Sequence, residues 1–345
     1  MSRSEYSFFH DLPCCHGGPA GEGRLRCSDQ DFVVTERLSF ELSGQGEHVC
    51  LLIRKSGANT DYVAGQLARF VGVPRRDVGY AGLKDRHAVT TQWFSVRLPG
   101  KEQPNWNAWQ LPQVEILQVG RHARKIKRGA LAGNDFQLLI RDLEADRQRL
   151  EDVLQRIRQH GVANYFGGQR FGRQGQNLQE ALLLFQGGRC TRQQRSLYLS
   201  AARSLLFNQI LARRVENGTW NRAVPGDAMA FAGSRQYFKT GLPDQELMDR
   251  VGKGEIHPTG ALWGIGDSDV SADARAIKQA VAESYPEFSR GLEQAGVEMA
   301  RRALRVNVEN LQWRFVGESD LQLQFSLPAG SYATAVVREL IALKS

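Results

Sequence analysis

The sequence predicts an α+β protein of two domains, on three observations. Strand-like runs crowd both ends of the chain, helical spacing dominates its middle, and 345 residues exceed one average domain of roughly 150. A strand-rich start and end around a helical middle suits one domain inserted within another.

Taken in order, "DFVVTE", "RLSFEL" and "EHVCLLIRK" read as short strands rich in β-branched, aromatic and leucine residues, with "SGQG" as a hairpin loop between the last two. "NTDYVAGQLARFVGV" switches to helical spacing: Val63, Leu67, Phe70 and Val71 share a face, Asn59 or Thr60 caps it, and Pro74 ends it. "VGYAG" and "TTQWFSVRL" return to strands, the second with Phe94, Val96 and Leu98 on one side, and "NDFQLLIRDL" adds another. From roughly 145 to 300, "LEADRQRLEDVLQRIRQH", "QQRSLYLSAARSLLFNQILARRVENG" and "SADARAIKQAVAESY" carry amphipathic spacing. Strands resume in "LQWRFV" and "LQLQFSL", and "SYATAVVRELIAL" reads as a last helix.

A net charge of +8, from 45 basic and 37 acidic residues, favours a polyanionic partner. No apolar run approaches the ~18 residues of a membrane helix, and "MSRSEYSFFHDL" lacks the apolar core of a signal peptide, so the reading is of a soluble, cytoplasmic protein with no membrane partner. Five irregularly spaced cysteines argue against a disulfide framework. "CCH" at 14–16 has poor geometry for one tetrahedral site and no CxxC partner, so no metal is expected there. "GDSDVSADARAIK" fails as an EF-hand because Lys278 stands where the bidentate glutamate belongs.

Three clusters carry chemistry. In "GYAGLKDRHAVTTQWFSV", Lys84, Asp85, Arg86 and His87 stand between a glycine-flanked aromatic and a strand. The bland reading is a self-neutralising turn. Glycine, aromatic and β-branched flanks argue instead for close packing, and two cations beside Asp85 favour the ionised form that a nucleophile or base requires. In "GRHARKIKRGALAGNDF", Arg121, Arg124, Lys125, Lys127 and Arg128 form the densest positive charge in the chain, suited to a phosphate backbone or, alternatively, to an edge strand guarded against aggregation. Asn134 and Phe136 follow, an amide and an aromatic of the kind used on nucleobases. "NYFGGQRFGRQGQN" interleaves aromatics and glycines with Arg170 and Arg173, which can stack on bases.

"GYAGLKDRHAVTTQW", "KRGALAGNDF", "NYFGGQRFG", "LSAARSLLFNQIL" and "LPAGSYATAVVREL" resemble, in the same order, the signature stretches of the tRNA pseudouridine synthase D (TruD) family. The resemblance runs from near residue 17 to the end. It implies a cofactor-free, metal-free enzyme that isomerises uridine to pseudouridine in tRNA, at position 13 in the dihydrouridine arm. It implies a discontinuous catalytic domain, residues 1–159 and 309–345, built on a mixed, largely antiparallel sheet and interrupted by an inserted α/β TRUD domain at 160–308. By the same match Asp85 is the catalytic aspartate, Phe136 lies against the extruded base and Asn134 contacts it. Lys84, Arg124, Lys125, Lys127 and Arg170 complete the expected substrate contacts.

The family's usual lysine partner for the aspartate is here Arg26, with Arg24 a rival. Arginine holds a carboxylate bidentately, so the pairing survives the change. The competing reading is a non-catalytic RNA-binding protein of the same fold, against which an intact Asp85 beside Phe136 and Asn134 argues. Phosphodiester cleavage by Asp85 and His87 is a third, lacking a second matching histidine and clustered metal-binding carboxylates.

Overall fold

The computed structural model describes residues 12–100, 102–234, 236–266 and 269–344. The opening residues, read above for a leader segment, lie outside the described residues. The chain divides into two compact units, each assembled from separate stretches. One takes Gly21–Ala145, Val308–Gly330 and the chain end from Ala342; the other takes the stretch ending at Ala20, Asp146–Asn307 and Ser331–Ile341.

The first unit is sheet-based, and its architecture is the α+β one expected. Along the chain run β1 (Gly21–Leu25), β2 (Phe32–Leu38), β3 (His48–Lys55), helix α1 (Thr60–Val71), β4 (Val78–Tyr80), β5 (Val89–Arg97), β6 (Val114–His122) and the long β7 (Leu131–Ala145). With the strands Glu309–Val316 and Asp320–Pro328, the order across the sheet is 309–316, 320–328, β7, β2, β5, β3, β6, with β1 alongside β7 and β4 alongside β5. Pairing is antiparallel except between β2 and β5 and between β1 and Ala342–Leu343, so the sheet is mixed and largely antiparallel.

The hairpin expected at "SGQG" does not form. β2 stops at Leu38 and β5 lies between β2 and β3. Phe40 and Leu42 bury instead against the Cys50, Ala81 and Ile126 cluster, which removes their need for a strand partner. Helix α1 follows its spacing, with Asn59 as N-cap, Gly72 closing it in the left-handed conformation at φ 65, and Val63 and Leu67 fully buried. Phe70, expected on that face, sits at its exposed margin, its ring tilted over Trp106 at 6.0 Å. The last helix ends at Leu340, because Ala342–Leu343 leaves it to pair with β1.

The second unit is helical around a small sheet. Helices α2 (Arg147–His160), α3 (Gln176–Phe185) and α4 (Arg192–Glu216) precede Ala272–Ser284 and Pro286–Gln294, with strands ordered 237–239, 228–231, 256–262, 300–303. A capping box between Thr191 and Gln194 starts α4, whose Ala201, Leu205, Leu206 and Leu211 enter the core. The "CCH" run is tied to the helix Ala333–Leu340. The amides of Cys15 and His16 donate to the Glu339 carboxylate at 3.1 and 3.0 Å, and His16 Nε2 meets the Gly161 carbonyl at 2.8 Å.

Near the end of α4, Arg214 forms a fully enclosed ion pair with Asp227, its two nitrogens each 2.9 Å from a carboxylate oxygen. The same guanidinium also donates to the Thr219 and Arg222 carbonyls. Removing one partner strands a buried charge. Asp227→Ala should therefore cost about 3–5 kcal/mol in urea unfolding. A loss below about 1 kcal/mol would show that the guanidinium is satisfied by its carbonyls alone.

Candidate active site

Two transverse rows of side chains define one face of the first unit's sheet. Strand register places Lys55 (β3), Thr90 (β5), Val34 (β2), Phe136 (β7) and Phe325 in one row. Glu36 (β2) and Asn134 (β7) pair in the next. Residues paired across a sheet point to the same face, and every second residue along a strand returns to it. Charged Lys55 and Glu36 thus fall on the face that also carries Phe32 and Ile53.

Glu36 is fully buried. Its carboxylate receives Lys84 Nζ at 2.7 Å and the Trp93 amide at 3.3 Å, and burial pushes its carboxyl up from the ordinary range. Lys84 was expected to contact substrate. Its side chain is only 6% exposed and is engaged inside, because a buried carboxylate at position 36 requires a counter-charge.

That ion pair pulls the 81–88 connection across the face, and Asp85 stands on its rim with its side chain 40% exposed. Arg26 Nη2 reaches the Asp85 carboxylate at 2.8 Å. Arg24 pairs with Asp142 instead, at 3.4 Å. Arg26 has a left-handed backbone, φ 66, at a cost of about 1–2 kcal/mol for a residue with a Cβ. The conformation turns its guanidinium over the Phe32 ring, 4.0 Å from the centroid, where a cation–π contact holds it.

Phe32 meets Phe136 edge-on at 6.3 Å, and Phe136 stacks on Phe325 at 5.3 Å. Phe136 is only 8% exposed. The register neighbour of Glu36, Asn134, has a buried side-chain carbonyl oxygen with no hydrogen-bond partner among the described residues. An orphaned buried acceptor of this kind is costly and calls for a partner. His87 and Arg86 are exposed.

Of the basic cluster, Arg121 lies on β6, at the edge of the sheet, as the alternative reading had it, whereas Arg124, Lys125, Lys127 and Arg128 fall in the loop that follows. Ile126 is buried, its amide donates to Ser95 Oγ at 2.9 Å, and the Gly129 amide donates to the Ala81 carbonyl at 2.9 Å. Gly79 lets the Ile126 carbonyl approach where a Cβ would clash. Arg124 and Lys127 are exposed, whereas the Lys125 amine donates to the Arg76 carbonyl. Arg170 belongs to the second unit. It donates to the Tyr332 hydroxyl at 2.8 Å and Ser200 Oγ at 3.2 Å, and lies 5.4 Å from the Phe166 ring.

Sequence reasoning missed Lys55, Thr60, Gln92, Glu36 and Phe32. The signal was present in the alternation: Leu51, Ile53 and Lys55 share a face, as do Phe32, Val34 and Glu36, so a charge falls at an inward position in each strand.

The chain has counterparts among known proteins. The family model described as "tRNA pseudouridine synthase D (TruD)" matches residues 14–183 and 176–340. A tRNA pseudouridine synthase D of Methylococcus capsulatus is 54% identical over 335 residues, covering 96% of this chain and 95% of that one. The Nitrosococcus oceani protein of the same name is 48% identical, covering 94% and 93%. A crystal structure of a putative tRNA pseudouridine synthase D from Methanosarcina mazei shares the fold, with a TM-score of 0.74 at 23% identity over 99% of this chain and 98% of that one. The chain is thereby placed among the pseudouridine synthases. Within that class it belongs to the tRNA pseudouridine synthase D (TruD) family.

Lys55 is 1% exposed, and burial, reinforced by the charge of Lys84 and opposed by Asp85, draws its amine down to about 8 from the ordinary 10.5. Between those values the unfolded chain binds more protons than the folded one, so stability rises with pH across that window. From pH 8 to 10, urea midpoints should therefore rise more steeply for the wild type than for Lys55→Met. Parallel profiles would contradict a desolvated Lys55.

Proposed function

We propose that this protein isomerises uridine to pseudouridine in tRNA, at position 13 of the dihydrouridine arm, with Asp85 as the reacting carboxylate and no cofactor. The observation that carries the proposal is the arrangement about Asp85: an accessible carboxylate fixed by Arg26 on the rim of a face holding Phe136 and the unpartnered Asn134 carbonyl.

The reaction breaks the C1′–N1 bond, turns the uracil and joins C1′ to C5, which then loses its hydrogen as a proton while N1 takes one up. The uridine must leave its stack first, since neither bond is reachable within a helix. The uracil N3–H is a donor, and the Asn134 carbonyl oxygen is an acceptor in need of one. Phe136 offers the apolar surface for the base, worth roughly 1–3 kcal/mol where stacking is achieved. Asp85 acts on the ribose or the base as nucleophile, or on a ribose proton as base. Arg26 holds the carboxylate in place for any of these roles.

Arg124 and Lys127 would meet backbone phosphates, and Arg170 would meet substrate from the second unit. Lys84 acts here by neutralising Glu36. We assign 160–308 to the inserted TRUD module and the remainder to the catalytic module. Among the described residues no helix is long and apolar enough to cross a membrane, and a cytoplasmic site of action is the one at which tRNA is available.

Two outcomes are expected. With tRNA transcripts carrying 5-³H-uridine, Asp85→Asn should release no tritium while its tRNA affinity stays within about threefold of wild type, since geometry is kept and the carboxylate is lost. Tritium release at a few per cent of the wild-type rate would refute the assignment. Separately, the Arg124→Gln/Lys127→Gln double variant should flatten the salt dependence of tRNA binding by roughly 1.4–1.8 in log–log slope. An unchanged slope would remove that loop from the interface.

A further inference from the structure

Several polar bonds fasten the turn before α1 and the loop carrying Asp85. Lys55 Nζ donates to the Ala58 carbonyl at 2.7 Å and to the backbone carbonyl of Asp85 at 3.4 Å. Arg86 Nε donates to the Gly57 carbonyl at 3.0 Å. The Lys84 amide donates to Thr60 Oγ1 at 3.0 Å, and that hydroxyl donates to Gln92 Oε1 at 2.8 Å. Gln92 closes the circuit, its Nε2 donating to the Gly82 carbonyl at 3.1 Å.

Lys55 is the costly member. Its ammonium is buried, and no carboxylate among the described residues lies within ion-pair distance of it. A methionine would fill the same inward position of β3 without the desolvation penalty. Stability therefore does not account for a lysine here. Among the described residues, the amine's one hydrogen bond outside its own turn is to the backbone carbonyl of Asp85.

We propose that Lys55 is a positioning residue for the isomerisation: its amine, with Thr60 and Gln92 as fixed struts, sets where the Asp85 carboxylate stands relative to the Phe136 row. This rests on reading Asp85 as the reacting carboxylate. The loop has no regular hydrogen-bond ladder of its own between β4 and β5, so its position rests on these bonds together with the Lys84–Glu36 and Arg26–Asp85 pairs. Displacement of a reacting group by about 1 Å can cost on the order of 100-fold in rate.

The test is steady-state tritium release by Lys55→Met, Thr60→Val and Asp85→Asn beside the wild type, with urea unfolding of each. Lys55→Met should lower kcat about 100-fold, leave KM for tRNA within about threefold, and unfold at a urea concentration equal to or above that of the wild type at pH 7. A purely structural lysine would give the opposite stability result. The proposal is overturned if Lys55→Met keeps kcat within about threefold, if KM rises while kcat holds, or if lost rate is matched by lost stability. Should Lys55→Met fail to fold, Thr60→Val decides: reduced kcat at constant KM upholds the strut, and full kcat refutes it. An active Asp85→Asn would instead sink the functional reading, whereas an inactive Asp85→Asn beside a fully active Lys55→Met sinks only this inference.

Discussion

The enclosed pair between Glu36 and Lys84 is the constraint on which the site depends. A carboxylate on the inward face of a central strand has no solvent to stabilise it, and here a cation is brought to it, with the Trp93 amide as a further donor. That cation comes from the connection between β4 and β5. Once Lys84 turns inward, its neighbour Asp85 is left on the rim, where Arg26 meets it. Adjacent residues with opposite placements, one buried and ion-paired inside, one accessible on the rim, follow from a single inward charge.

Strain and stacking complete the arrangement. Arg26 accepts an unfavourable backbone conformation and recovers the cost from two favourable contacts, the Phe32 ring on one side and the Asp85 carboxylate on the other. Neither contact is available to Arg24, which lies on the strand and pairs outward with Asp142. The choice between two arginines two residues apart is thus made by backbone geometry, which no local feature of "GRLRC" reveals.

Much of the fold was legible because strands and helices here follow their periods. α1, α2 and α4 fall where their spacing places them, and β5 and β7 where β-branched and aromatic residues alternate. The hairpin at "SGQG" was misread because loop composition states where a chain turns and not which strand it rejoins; β5 takes the intervening place through long-range pairing. At the site, Asp85 stood out by its flanks and by family resemblance. Lys55 and Glu36 did not, since a charged residue in a strand is ordinarily an outward one, and only their phase relative to Ile53 and Val34 shows otherwise. Lys84 was misjudged for the same reason: its partner lies 48 residues earlier.

The interleaving of the two units governs how the chain is made. The Cys15 amide and the Glu339 carboxylate that bind each other are 324 residues apart, and β1 waits for Ala342–Leu343 to pair with it. β7, already flanked by β1 and β2, likewise lacks its other neighbour until Asp320–Pro328 pairs with it. Each unit therefore closes only when stretches far apart in the sequence meet. Contacts of such separation slow folding through the entropy of closing long loops. Until Asp320–Pro328 pairs with it, one edge of β7 stands open, and an unpaired strand edge of this kind is a template for association with other chains.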